Sequence, residues 1–257
     1  MKYKKISLIT GGGGFFAFQH ALAMSEMNNE IVLADINKKK LIDIQKKLLR
    51  NNIKVYIFKA DISKEKDVIK LKNFLLKKFG QIDILINNAS IDHVPNKKNK
   101  TFKNLKLKSW NKEIEVGLTG TFLCSKIFGS IMQKEKKGVI LNISSDLSII
   151  APDQRIYSHL KFEKPITYSV IKHGIVGLTK YLAAYWGKNN VRVNCISPGG
   201  IENKQNKTFI KKIKKLIPLG RMARSNEYIG VIKFLCSNQS SYMTGQNIII
   251  DGGRSII

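Results

Sequence analysis

Lys4-Lys5-Ile6-Ser7-Leu8-Ile9-Thr10-Gly11-Gly12-Gly13-Gly14 decides how the rest of the chain is read. Lys4 to Thr10 is a short apolar run with two β-branched isoleucines; it breaks into four glycines, and a helix-like segment follows from Phe16 to about Met27. The order is strand, glycine turn, helix. Such a turn lets backbone N–H groups approach a pyrophosphate at the positive end of a helix. The next strand, Glu30 to Ala34, ends in Asp35. A carboxylate at that place suits a ribose diol and repels a 2′-phosphate.

Outward from this unit the pattern repeats. Strands are expected near 5–10, 30–35, 53–59, 83–87, 138–143, 190–196 and 246–250, with helices filling most gaps and no long linker. Alternation of this kind predicts an α/β fold: a seven-stranded parallel sheet covered by helices on both faces, in one domain over residues 1–257. Asp61 follows the third strand, and Asn87-Asn88-Ala89 ends the fourth. A nucleotide is expected across these carboxyl ends, where the strand order reverses.

A second signal lies downstream. Tyr168-Ser169-Val170-Ile171-Lys172 follows a serine pair, Ser144-Ser145. A tyrosine with an ordinary pKa of about 10 is a poor base at neutral pH, and a lysine one helical turn away stabilises its phenolate. The pair reads as half of a hydride-transfer site.

Taken in order, Thr10-Gly11 with its glycine loop, Asp35, Asp61-Ile62, Asn87-Asn88-Ala89, Ser145, YSVIK, Ser197-Pro198-Gly199, Thr244-Gly245 and Asp251-Gly252-Gly253 resemble the short-chain dehydrogenase/reductase family over essentially the whole chain. The resemblance implies a Rossmann-like doubly wound fold, a nicotinamide cofactor, and Ser145, Tyr168 and Lys172 as catalytic residues. It implies cofactor contacts from Gly11, Gly14, Phe15, Phe16, Asp35, Asp61, Ile62, Asn88, Ala89, Tyr168, Lys172, Pro198, Gly199, Gly200 and Ile201. Asp35 followed by neutral Ile36 favours NAD(H) over NADP(H). A homodimer or homotetramer is expected.

Three departures from the family pattern stand out. The glycine loop ends in Ala17 where the family has a glycine. Gly117 occupies the position at which the family usually has the asparagine of its catalytic tetrad. The stretch between Ser145 and Tyr168 is longer than usual, and the extra segment, about 149–166, is expected to loop out at the mouth of the site. Its Arg155, Tyr157, His159 and Lys161 are candidate substrate contacts, since loops there commonly carry specificity. A contact between subunits, or simply a solvated loop, is the alternative.

Composition bounds the remainder. At 257 residues and 43% hydrophobic content the chain can bury one large core. It shows neither a run of about 18 apolar residues nor a signal peptide, so no membrane span and a cytoplasmic location are expected. Cys124, Cys195 and Cys236 read as buried thiols, and the four histidines show no ligand spacing, so no metal is expected. The net charge of +27 is almost all lysine without a nucleic-acid motif, which argues against nucleic acid and suits a small anionic substrate.

The YSVIKHGIVGLTKYLA helix, the insertion after LNISSDLS, and Pro218-Leu219-Gly220-Arg221-Met222 are similar to family members of bacterial surface-sugar and flagellin-modification (nonulosonic acid) pathways. That resemblance implies hydride transfer at a secondary alcohol or ketone of a sugar phosphate or nucleotide sugar. A 3-oxoacyl or polyol reductase is one alternative. A nicotinamide-binding homologue without turnover, suggested by Ala17 and Gly117, is another.

Overall fold

The computed structural model describes residues 4–91, 101–160 and 162–257. Seven strands, β1 (Ile6–Thr10), β2 (Glu30–Asp35), β3 (Tyr56–Lys59), β4 (Ile84–Asn87), β5 (Gly138–Ile143), β6 (Val191–Pro198) and β7 (Asn247–Ile250), form one sheet. Its order is β3-β2-β1-β4-β5-β6-β7 with every pairing parallel, so the order reverses between β1 and β4. β1 is buried at all five positions, as a strand covered on both faces must be.

Eight α-helices flank the sheet among the described residues: α1 (Ala17–Glu26), α2 (Lys38–Leu49), α3 (Glu65–Phe79), α4 (Leu107–Ile114), α5 (Gly120–Lys134), α6 (Ile166–Trp186), α7 (Lys207–Lys214) and α8 (Ile229–Cys236). On one face, Val68, Leu71 and Leu75 of α3, Phe128 and Met132 of α5, and Leu182 and Trp186 of α6 pack on β1, β4 and β5. On the other, Ala21 and Met24 of α1, Leu41 and Leu48 of α2, and Ile232 and Leu235 of α8 close the second core. Each large aliphatic side chain removed from water in this way contributes about 1.5–3 kcal/mol.

Boundaries follow local chemistry. The expected strand at 53–59 begins only at Tyr56, because Asn52 turns through a left-handed φ of 59° and the Ile53 N–H returns to the Leu48 carbonyl. Asn37 starts α2 by accepting the Lys40 N–H (3.0 Å). α4 and α5 run on through a π-helical turn, Glu115–Thr119. The resulting helix, Leu107–Lys134, is long and apolar enough to cross a membrane by length and composition. Its Leu123, Cys124, Phe128 and Met132 are nevertheless part of the core against the sheet, as in a core helix of a globular domain. All three cysteines are buried and free, and burial pushes each thiol up to about 12.

Candidate active site

Carboxyl ends of the parallel strands converge on a cavity of about 600 Å³. At one end, Gly11 adopts a φ of +64°, and a Cβ there would lie 2.7 Å from the Ala89 Cα, so the close approach of β1 and β4 requires glycine. Thr10 Oγ1 accepts the N–H groups of Asn88 (3.1 Å) and Ala89 (3.2 Å). In return, Asn88 Nδ2 donates to the carbonyls of Thr10 (3.0 Å) and Gly11 (3.1 Å). The point of strand-order reversal is thus tied across both strands.

These bonds also fix a histidine. With Nδ2 spent as a donor, Asn88 Oδ1 accepts from His20 Nε2 (3.1 Å), which leaves the bare Nδ1 of His20 buried without a partner. Burial holds this imidazole neutral, with its pKa lowered to about 4.

Asp35 accepts the N–H of Gly13 on one oxygen (3.0 Å) and that of Asn37 on the other (2.8 Å), so its carboxylate is pinned beside the glycine turn. Asp61 Oδ1 accepts both the N–H (3.0 Å) and the hydroxyl (2.7 Å) of Ser63. Gly11, Gly14, Phe15, Phe16, Asp35, Asp61, Ile62, Asn88, Ala89, Pro198, Gly199, Gly200 and Ile201 all line the one cavity. Main-chain amides at the start of α1, an anchored carboxylate beyond them, and a tyrosine–lysine pair at the far end are a donor set that fits a dinucleotide.

At that far end Ser145, Tyr168 and Lys172 come together, although the insertion separates them in sequence. α6 places Tyr168, half-buried, and Lys172, 4% exposed, on one face. Lys172 Nζ donates to the Ile143 carbonyl (2.9 Å) and stands 5.4 Å from the centre of the Tyr168 ring. Ser144 Oγ donates to the Lys172 carbonyl (2.8 Å), which joins α6 to the end of β5.

Ser145 is held from both sides. Its hydroxyl donates to Asp146 Oδ1 (2.8 Å) and accepts the Leu147 N–H (3.2 Å). Asp146 is paired in turn with Arg254 Nη1 (2.7 Å), both are buried, and both line the cavity. Neither residue was among the expected site residues. Nothing in the local pattern marks Asp146 or Arg254, which meet only when the C-terminal turn after β7 folds back.

Gly117 sits buried in the π-helical turn, where a Cβ would come 2.8 Å from Ile171 Cγ2. Its carbonyl accepts the Thr121 hydroxyl (2.8 Å). An asparagine side chain at this position would have to displace Ile171. Ala17, the other departure, is fully buried at the start of α1.

The insertion leaves the sheet between Ser145 and Tyr168 and folds against α7. Ile156, Tyr157 and Phe162 pack with Phe209 and Ile213 of α7 and with Ile217 and Met222, forming a separate small core. The rings of Tyr157 and Phe209 stack with centroids 5.4 Å apart. Of the four expected substrate contacts, only Tyr157 lines the cavity among the described residues. Arg155 is 89% exposed and forms a two-bond ion pair with Asp153 (2.9 and 2.8 Å), which satisfies its planar fork locally. His159 is exposed and stands outside the lining, and Lys161 lies outside the described residues. Among the described residues, the cation of this segment that reaches the cavity is Lys164, which was not among the expected contacts.

Comparison with known proteins gives the family. The family model described as enoyl-(acyl carrier protein) reductase matches residues 16–255. The chain is 33% identical over 254 residues to the 3-oxoacyl-(acyl-carrier-protein) reductase FabG of Buchnera aphidicola, covering 97% of each chain. It is 32% identical over 257 residues to the NAD-dependent glycerol dehydrogenase of Listeria innocua, covering 98% of this chain and 94% of that one. The crystal structure of a short-chain dehydrogenase from Leptospira borgpetersenii with bound NAD⁺ superposes with a TM-score of 0.84 at 32% identity, covering 98% of this chain and 93% of that one. This chain belongs to the short-chain dehydrogenase/reductase family. It is an oxidoreductase of that family, acting on alcohol and carbonyl groups with a nicotinamide cofactor.

Proposed function

We propose that this chain is an NAD(H)-dependent oxidoreductase that interconverts a secondary alcohol and a ketone, with the 3-oxo group of an acyl thioester as its favoured substrate class. The observation that carries the chemistry is the convergence of Ser145, Tyr168 and Lys172 on the cavity whose other end holds the pinned Asp35. The substrate class is supported by the likeness to the Buchnera reductase over nearly the full length of both chains. A polyol substrate is the second reading, favoured by the glycerol dehydrogenase relative. The surface-sugar reading draws no support from these relatives.

A nicotinamide held in this cavity would supply or take the hydride. Tyr168 is the acid–base group that exchanges a proton with the substrate oxygen. Lys172, tied to the Ile143 carbonyl, keeps a positive charge beside the phenol and favours its ionised form. Ser145 holds the same substrate oxygen. Because its proton is directed to Asp146, Ser145 receives a bond from an alcohol as it stands, and must rotate to donate to a ketone.

Asp35 supports NAD(H) as the cofactor: its carboxylate, fixed beside Gly13, repels a 2′-phosphate, and the Listeria relative is named as NAD-dependent. The proposal extends to a small anionic substrate, suited to the +27 charge, and to a cytoplasmic homodimer or homotetramer. The test is a turnover assay of the purified protein with NADH and with NADPH, over 3-oxoacyl thioesters, polyols, sugar phosphates and nucleotide sugars. The expected result is NADH-driven reduction of a 3-oxoacyl thioester. Turnover confined to sugar substrates, or binding of NADPH by calorimetry that equals or exceeds that of NADH, overturns it, and Asp35→Ala should narrow the gap between the two.

A further inference from the structure

Lys164 places its Nζ over the face of the Tyr168 ring, 3.7 Å from the centroid, closer than the 5.4 Å of Lys172. It arrives there from the insertion, and its backbone is held in place. Gln154 donates from Nε2 to the Lys164 carbonyl (3.1 Å) and accepts the Lys164 N–H on Oε1 (2.9 Å), so one amide side chain clips both main-chain groups. Gln154 itself stands in a 3₁₀ turn, Gln154–Tyr157, started by Asp153 and anchored on α7 through Ile156 and Tyr157. The Lys164 side chain lines the cavity.

We propose that Lys164 is a second positioning cation for Tyr168, supplied by the insertion and set by Gln154, so that two lysines rather than one determine the ionisation of the tyrosine. The proposal rests on the reading of Tyr168 as the acid–base group. A positive charge within about 4–6 Å favours the ionised form of a phenol, and a charge on the ring face also gains from the ring quadrupole.

The other charged groups around Tyr168, among the described residues, do not cancel this arrangement. Lys172 is on the same helix, and Lys112 of α4 lines the cavity. Glu113 of α4 is engaged by the hydroxyl of Thr167, and Asp146 is paired with Arg254. Glu115 lies in the neighbouring π-helical turn, while Asp35, Lys40 and Asp61 line the nucleotide end.

The experiment is an ultraviolet difference titration of tyrosinate in the full-length protein, without substrate or nucleotide. Tyr168 is isolated by subtracting the matched Tyr168→Phe protein from wild type, and likewise within Lys164→Met, Lys164→Arg and Gln154→Ala backgrounds. The expected result is a Tyr168 midpoint about one pH unit higher in Lys164→Met, restored toward wild type in Lys164→Arg. Gln154→Ala, which keeps the charge but frees the main chain, should give a smaller upward shift and serves as the decisive variant if Lys164→Met does not fold. An unmoved midpoint in the folded variants overturns the proposal, even where a substrate KM rises, because that result makes Lys164 a substrate contact only. The titration needs no turnover, so a failed reductase assay and a failed second cation are separate outcomes.

Discussion

The two ends of the cavity are built differently. At the nucleotide end, Gly13, Asp35 and Asn37 lie within two consecutive strand–turn–helix units, and the Asp35 carboxylate is held by main-chain N–H groups of those units. At the substrate end, Ser145 answers to Asp146, Asp146 to an arginine beyond β7, and Tyr168 to a lysine held by a glutamine of the insertion. The carboxylate of the first end is thus set by local backbone geometry, although Asn88, just after β4, ties the glycine turn to the rest of the sheet. The second depends on side chains that meet only after the whole sheet has formed, so it is where relatives with one chemistry can diverge in substrate.

The sharpest way to break this contrast is at Tyr168. Tyr168→Phe should leave nucleotide binding intact by calorimetry while turnover drops about 10²- to 10⁴-fold, the usual scale of general acid–base work. Near-normal turnover would move the chemistry to another group, with Tyr157 the first to replace.

Asp146→Ala tests whether the substrate end hangs on its long-range ion pair. Removing one partner leaves Arg254 buried and uncompensated, so denaturant unfolding should register a loss of about 3–5 kcal/mol. Adding Arg254→Met should recover a large part of it. If the single change is silent in stability, the pair is not what fixes the C-terminal turn against Ser145.

His20 probes the nucleotide end through pH. Folded His20 binds its proton only near pH 4, whereas an ordinary imidazole does so near 6.5, so the unfolded chain takes up the proton first as the pH falls. Its contribution is complete above about pH 6.5 and is lost progressively down to about pH 4, roughly 3 kcal/mol in all. His20→Gln should flatten that part of the stability–pH curve. A slope unchanged by the substitution would assign it to other groups.

The smallest effect is expected at Arg155. Its guanidinium is exposed and satisfied by Asp153, so Arg155→Ala should leave both KM and Tm at wild-type values. A raised KM would return the insertion to direct substrate recognition and reduce the weight given to Lys164.

Much of this molecule was written locally. Alternation of apolar runs and glycine punctuation specified seven strands in a parallel sheet, because a strand buried on both faces and a turn that needs φ above zero leave direct marks in sequence. The lysine four residues after Tyr168 was legible for the same reason: helical periodicity alone puts both on one face. The course of the insertion was not legible. Its Ile156, Tyr157 and Phe162 read as a loop until α7 offered a surface on which to bury them, and that docking turned Arg155 outward and brought Lys164 over the ring. Asp146 and Arg254 were equally silent, since a buried charge declares itself only through its partner. Sequence by itself determined the backbone scaffold and the residues that short-range geometry can pair. Tertiary structure decided that Lys164 joins Lys172 at Tyr168 and that Arg254 reaches the Asp146 beside Ser145, because contacts between distant segments are selected by packing and desolvation of the assembled fold, for which no local pattern stands.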